Sequence, residues 1–280
     1  MEIIDGKKIK KEILDELKEE VNSLTDKPNF IVIQVGDNPA SNVYIKQKAK
    51  MAEYIGYGYT HMKFDENITE DELLNKIDEF NNDKNVHGIL VQMPLPNHID
   101  TNKIQNAVLP EKDIDGLSDL NAGMLFHGKD ALYSCTPYGV MELLKRYNIR
   151  VSGKHVVVVG RSNLVGKPMA SMLINAGATV TVCHSKTVNL SKYTKMADIL
   201  IVSVGKPKII TADMVGDNTV IIDVGINRLE DGLCGDVDYE NVRNLASYIT
   251  PVPGGVGPMT VAMLGENVLK AYKIQKGTKE

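Results

Sequence analysis

The chain has 280 residues, 43% of them hydrophobic and 24% charged, with a formal net charge of −4. Those values fit a soluble globular protein of two domains or one large one, and they exclude a disordered chain or a broad basic footprint for nucleic acid. No apolar run approaches the ~20 residues that span a bilayer, and the charged N-terminus MEIIDGKKIKKEILDEL has no signal-peptide core.

In chain order, Ile9, Ile13, Leu17, Val21 and Leu24 recur at three- and four-residue steps and predict an amphipathic helix. A β-type run follows at 30–35, then a helix over about 41–55 that Gly56 stops. A second β-type run lies near 57–63, a polar helix at about 69–81, and a buried-strand run at 86–92. From there to about residue 130 the chain reads as loop-rich, with Pro94, Pro96, Pro110, Gly116 and Gly123. Loops of that length in a compact protein are usually functional. A helix at about 137–147 joins the halves.

The second half is regular. Strand-like runs at 155–160, 179–184, 199–204 and 220–225 start 20 to 24 residues apart, with helical or loop sequence between them. That rhythm predicts βαβ units in a parallel sheet, and the uninterrupted apolar runs fit strands covered on both faces. A last helix is expected over about 260–274, after TPVPGGVGP.

Cys135, Cys183 and Cys234 lie about fifty residues apart, and the six histidines show no ligand spacing. Neither a disulfide framework nor a metal site is expected, and a reducing cytoplasmic setting is the default.

The first strand of the second half runs into a glycine-containing turn and a helix, HVVVVGRSNLVGKPMASMLINAG. This is the context of a dinucleotide phosphate loop, in which helix N–H groups face a pyrophosphate. The spacing here is Gly160-x-Ser162-x-x-x-Gly166, so an ordinary βα turn is the alternative. In NAD-binding units an acidic residue ~20 positions on holds the ribose 2′-hydroxyl. None occurs between Lys167 and Ala197; instead the next strand ends in Cys183-His184-Ser185-Lys186-Thr187, and Arg161 stands in the loop. Cationic and hydroxyl donors suit a 2′-phosphate and favour NADP, unless Arg161 and Lys186 are simply solvated.

In NPASNVYIKQKAKMAEYIG, Ser41, Tyr44 and Lys48 stand at i, i+3 and i+7 and share one helix face. A partly buried lysine can lose its proton near neutrality, but a lone helical lysine is ordinarily a solvated charge. Gln92 ends a buried strand, near the sheet edge where ligands bind in α/β folds. Asp113 and Asp115 in PEKDIDG serve either the turn or the recognition of a heterocycle that offers an amino group and a ring N–H.

Eight segments together resemble the bifunctional methylenetetrahydrofolate dehydrogenase/cyclohydrolase family: VGDNPASNVYIKQKAK, GILVQMPLP, PEKDIDGL, CTPYGVMELL, GRSNLVGKPMA, VCHSKT, DVGIN and TPVPGGVGPMTVAML. They stand in family order from about residue 31 to residue 265. The resemblance implies an α/β protein with an N-terminal folate-binding catalytic domain at 1–138 and a Rossmann-like, parallel-sheet NADP-binding domain at 139–259. A C-terminal helix at about 260–280 would pack back on the first domain. Lys48 matches the catalytic lysine, Gln92 the glutamine beside it, Tyr44 the tyrosine flanking the pterin, and Asp115 the aspartate anchoring it. Ser41 falls in the same substrate segment. Arg161, Ser162 and Ser185 match residues around the NADP 2′-phosphate; Gly160, Gly166, Lys186, Gly225 and Ile226 complete the cofactor segments. Gly254, Gly255 and Thr260 match the stretch near the nicotinamide and the folate. The resemblance further implies NADP as cofactor, tetrahydrofolate derivatives as substrates, no metal, and a homodimer formed through the cofactor domain. Rival readings are another two-domain NADP dehydrogenase, such as one of the shikimate type, a silent folate- or NADP-binding protein, and a dehydrogenase without the second activity.

Overall fold

The computed structural model describes residues 1–230 and 232–277. The first half contains β1 (Glu2–Ile3), α1 (Gly6–Ser23), β2 (Asn29–Val35), α2 (Pro39–Ile55), β3 (Gly58–Phe64), α3 (Glu70–Asn82) and β4 (Gly88–Val91). Then come α4 (Thr101–Ala107), α5 (Asp119–Phe126) and α6 (Cys135–Arg146). The second half contains β5 (His155–Val159), α7 (Gly166–Asn175), β6 (Thr179–Cys183), α8 (Leu190–Thr194), β7 (Ile199–Val202) and β8 (Thr219–Asp223). It ends with β9 (Asn227–Leu229), β10 (Gly232–Cys234), α9 (Tyr239–Val242), β11 (Ala246–Ile249) and α10 (Val256–Lys276).

These elements divide into two compact units. One comprises Glu12–Cys135 with the described residues from Val261 onward, and the other Met1–Lys11 with Thr136–Thr260. The first, the three-strand unit, is built on a parallel sheet in the order β3-β2-β4. The central strand β2, FIVIQV after Asn29, is buried along its whole apolar run. Its Ile31, Ile33 and Val35 pack with Leu73 and Ile77 of α3 and with Ile89 of β4. Helix α3 starts at a capping box in which the Thr69 hydroxyl accepts from the Glu72 amide and the Glu72 carboxylate accepts from the Thr69 amide.

The six-strand unit carries a parallel sheet in the order β1-β11-β8-β7-β5-β6. The valines of β5 are 0–2% exposed, as a central strand covered on both faces requires. β5 is flanked by β6 on one side and by β7 on the other, so the chain reverses direction across the sheet between β5 and β7. That switch point opens a crevice beyond the C-terminal ends of the strands.

The loop-rich stretch 93–130 also carries two short helices, α4 and α5. Asp100 caps α4 by accepting from the amides of Asn102 and Lys103, and Ser118 caps α5 by accepting from that of Asn121. These helices are too short for their apolar period to stand out, and Gly123 lies inside α5. The last helix begins at Val256, not near Thr260, because Pro258 falls in its first turn, where a missing N–H costs nothing. Residues 278–280 of the expected C-terminal helix lie outside the described residues. Among the described residues no helix is long and apolar enough to cross a membrane.

Candidate active site

Helix α2 buries one stripe: Ser41, Ile45, Ala52 and Ile55 are at most 5% exposed. Lys48 lies on the same stripe, three residues after Ile45 and four before Ala52, and is half-buried. Lys46 and Lys50 point to solvent, as expected. The apolar stripe therefore removes Lys48 from the ordinary fate of a helical lysine. Tyr44, one turn earlier, is 51% exposed, so its ring is open for stacking.

The sheet delivers Lys48 a partner. The Gln92 amide donates to the Ile33 carbonyl at 2.8 Å and extends the ladder one residue past β4. The Lys48 Nζ then donates to Gln92 Oε1 at 2.7 Å. Gln92 Nε2 donates to the Met93 carbonyl at 2.9 Å, and Ser41 Oγ donates to the same carbonyl at 3.0 Å. These contacts fix the glutamine's orientation and turn its oxygen toward the lysine.

A third segment runs beside β4 through a parallel bridge between Ile89 and Asp113. Its two aspartates separate cleanly. Asp113 accepts from the amides of Gly116 (3.0 Å) and Ser118 (2.8 Å) and from Asn121 Nδ2 (3.0 Å), so it serves the turn. Asp115 is not spent this way: its carboxylate interacts with the Cys135 thiol and the Lys48 charge. Cys135 in turn lies 3.6 Å from the Ile114 carbonyl. Asn267 Nδ2 donates to the carbonyls of Ile114 (2.9 Å) and Tyr133 (2.8 Å), tying α10 to both segments. Reading the sequence passes over Cys135 and Asn267. Cys135 heads the CTPYGVMELL segment, but cysteine spacing carries no signal for a lone thiol, and Asn267 lies more than 130 residues from its partners.

The electrostatics follow from this enclosure. Burial lowers the Lys48 ammonium pKa, while the charge of Asp115 works against that fall. Burial raises the Asp115 carboxyl and Lys48 draws it down. Burial also holds the Cys135 thiol well above the ordinary range, so it stays protonated. The arrangement can exchange a proton at Lys48 while Asp115 binds a polar heterocycle. A side-chain NMR titration of isotopically labelled lysine is expected to place the Lys48 midpoint below that of a free lysine. Asp115→Asn should move it lower still, because a stabilising negative charge is removed. An unmoved or raised midpoint in that variant would contradict the coupling.

The six-strand unit holds the remaining predicted residues. After β5 the chain turns at Gly160, whose φ of +132° is open to glycine. Side chains on this turn would clash: a Cβ on Gly166 would lie 2.2 Å from the Gly160 carbonyl oxygen. Ser162 Oγ accepts from the Val165 amide at 3.1 Å and leads the chain into α7. Arg161, Ser185 and Lys186 are exposed. Ser185 and Lys186 lie in a turn just past β6, closed by the Thr187 amide donating to the His184 carbonyl at 2.8 Å. The bare glycine cradle and the exposed cations fit a phosphorylated dinucleotide. Gly225 is buried, its amide donating to Asp223 at 3.0 Å, while Ile226 is 53% exposed. Gly255 and Thr260 also belong to this unit, so the structure groups them with the dinucleotide residues and not with Lys48 and Asp115. The Thr260 and Thr136 hydroxyls lie 3.2 Å apart.

Residues 4–115 match the catalytic domain of tetrahydrofolate dehydrogenase/cyclohydrolase, and residues 134–276 its NAD(P)-binding domain. The bifunctional protein FolD of Nautilia profundicola is 56% identical over 278 residues, 98% of each chain. The crystal structure of a bifunctional FolD dehydrogenase/cyclohydrolase from Campylobacter jejuni superposes with a TM-score of 0.96 at 50% identity, over 98% of this chain and 99% of that one. A Trypanosoma brucei dehydrogenase-cyclohydrolase complexed with NADP and an inhibitor superposes with a TM-score of 0.91 at 35% identity, over 97% of both chains.

Proposed function

Because the chain belongs to the tetrahydrofolate dehydrogenase/cyclohydrolase family, we propose that its two units divide one reaction sequence between them. The protein is a bifunctional enzyme of one-carbon metabolism: it oxidises 5,10-methylenetetrahydrofolate with NADP⁺ and hydrolyses the methenyl product to 10-formyltetrahydrofolate. Folate chemistry falls to residues within 1–138 and cofactor binding to residues within 139–259, with the helix from about 260 supporting the folate side. The observation that carries the residue roles is the buried-stripe Lys48 held 2.7 Å from Gln92 Oε1 and coupled to Asp115.

Bound NADP⁺ supplies the hydride acceptor. The methenyl cation left on the folate is stabilised by the adjacent nitrogen lone pairs, so oxidation needs no strong base. The chain's work in that step is to hold the ring: Tyr44 stacks on it, Ser41 lines its site, and Asp115 accepts hydrogen bonds from its amino group and ring N–H. Hydrolysis does need proton traffic. Neutral Lys48 takes a proton from the water that adds to the methenyl carbon, and its ammonium returns one to N5 as the C–N5 bond breaks. The tetrahedral hydroxyl loses its proton as the formyl group forms, so one proton is released overall. Gln92 holds Lys48 and the water in place.

On the cofactor side, Gly160 and Gly166 cradle the pyrophosphate, and Arg161, Ser162, Ser185 and Lys186 take the 2′-phosphate. Gly225 and Ile226 complete the cofactor site. Oxidation of methylenetetrahydrofolate assayed with NADP⁺ and with NAD⁺ tests this reading. Arg161→Ala is expected to raise the KM for NADP⁺ by about tenfold, the usual effect of a lost charge-assisted contact, and to leave that for NAD⁺ unchanged. Equal changes with both cofactors would contradict the assignment.

We also propose a cytoplasmic homodimer joined through the cofactor unit. The family resemblance supports the assembly, and analytical ultracentrifugation showing a monomer at working concentration would overturn it.

A further inference from the structure

The cofactor crevice has a second wall, and the structure shows what shapes it. The loop after β5 and the loop after β7 flank the switch point of the six-stranded sheet. They touch: a Cβ on Gly160 would lie 2.4 Å from the Ser203 carbonyl oxygen, and the Ser203 amide donates to the Val159 carbonyl at 2.8 Å. The three residues that continue this wall, Val204, Gly205 and Lys206, turn their amides to one carboxylate. Asp236 Oδ2 accepts from Val204 N at 2.6 Å and Gly205 N at 3.0 Å, and Oδ1 accepts from Lys206 N at 2.9 Å. A fourth donor, Asn227 Nδ2, reaches Oδ1 at 2.9 Å from the start of β9.

Asp236 is 0% exposed. A carboxylate at that depth persists only when its lone pairs are filled, and here two oxygens meet four donors. Its backbone is fixed as well. Asp223, the last residue of β8, accepts from Asp236 N at 3.0 Å and from Val237 N at 2.8 Å. One side chain thus fastens the loop after β7 to the turn after β8.

We propose that Asp236 is a positioning residue for the dinucleotide: it holds the Val204–Lys206 wall and the Asn227 turn in the form that receives the nicotinamide half of NADP. This rests on the cofactor reading of this sheet edge. The consequence is selective. Asp236 acts on NADP binding and hydride transfer, and hydrolysis of methenyltetrahydrofolate, which uses no cofactor, does not depend on it.

Asp236→Asn is the sharpest variant. It keeps the shape but turns an NH₂ toward two N–H donors in either orientation of the amide. NADP⁺ Kd and KM are expected to rise by about tenfold or more, the effect of leaving buried donors unpaired. Hydrolysis of methenyltetrahydrofolate supplied without cofactor should keep its rate. Hydrogen exchange at Val204–Lys206 should quicken in the same variant. Asn227→Ala removes one donor of the four without unpairing a backbone amide. It should shift NADP⁺ Kd the same way by about threefold, and it carries the test if Asp236→Asn does not fold. Wild-type NADP⁺ affinity in both variants overturns the proposal, and so does a parallel loss of both activities in Asp236→Asn with no change in Asn227→Ala. Arg161→Ala separates the two levels. Weakened NADP⁺ binding there, with both wall variants unaffected, overturns the role of Asp236 and leaves the cofactor site standing. Unchanged binding in all three variants overturns the site as well.

Discussion

Replacing Lys48 by alanine is expected to slow methenyltetrahydrofolate hydrolysis by ~10²–10⁴-fold, the range that a lost general acid–base group produces. Oxidation of methylenetetrahydrofolate should fall much less, because hydride departure leaves a cation that the folate's own nitrogens stabilise. The asymmetry follows from where Lys48 sits. It lies on the buried stripe of α2, its ammonium pKa is lowered by burial, and Gln92 Oε1 fixes its Nζ at 2.7 Å. Lys48→Arg sharpens the test. Arginine keeps a positive charge but does not give up its proton in proteins, so hydrolysis should be lost as in the alanine variant. If arginine restores hydrolysis, the charge and not the proton is what matters. Equal losses of folate binding and both activities in Lys48→Ala would make Lys48 a binding residue only.

Asp115→Ala carries the second large effect, this time on affinity. Asp113 is consumed by two backbone amides and Asn121, whereas Asp115 interacts with the Cys135 thiol and the Lys48 charge. A carboxylate receiving two donors from a pterin contributes the ~1.5–3 kcal/mol typical of a hydrogen bond to a charged group, so its removal should weaken folate binding by roughly 10- to 150-fold. Equilibrium binding of a folate analogue reads this directly. An unchanged Kd would sink the assignment. Asp113→Ala should behave differently, lowering thermal stability through the unpaired amides of Gly116 and Ser118.

The part of the fold that the sequence foretells is the part with a period. The strands of the second half begin at His155, Thr179, Ile199 and Thr219, within one residue of the predicted starts, because buried parallel strands are unbroken apolar runs. Lys48, Gln92 and Asp115 stand out within their motifs, and the paired alternatives for the two aspartates become one only when the turn around Asp113 is seen. What stays hidden is short or distant. β1 has two residues and gains its register only from β11, nearly the whole chain away. The β9–β10 hairpin is three residues to a strand. Helices α4 and α5 are declared by their caps rather than by an apolar stripe. Asp236 meets amides some thirty residues earlier, and no local pattern in GDVDYE announces that.

The two activities of this one chain, with Lys48 assigned to the second step, can be read in a single assay. The most direct test is an absorbance time course of the wild-type protein with methylenetetrahydrofolate and NADP⁺, following NADPH and the methenyl intermediate together. The expected result is NADPH formation with the methenyl species removed faster than in enzyme-free buffer, and Lys48→Ala returning that removal to the buffer rate. NADPH formation with methenyl decay already at the buffer rate in the wild type would contradict the account and leave a dehydrogenase without the second activity.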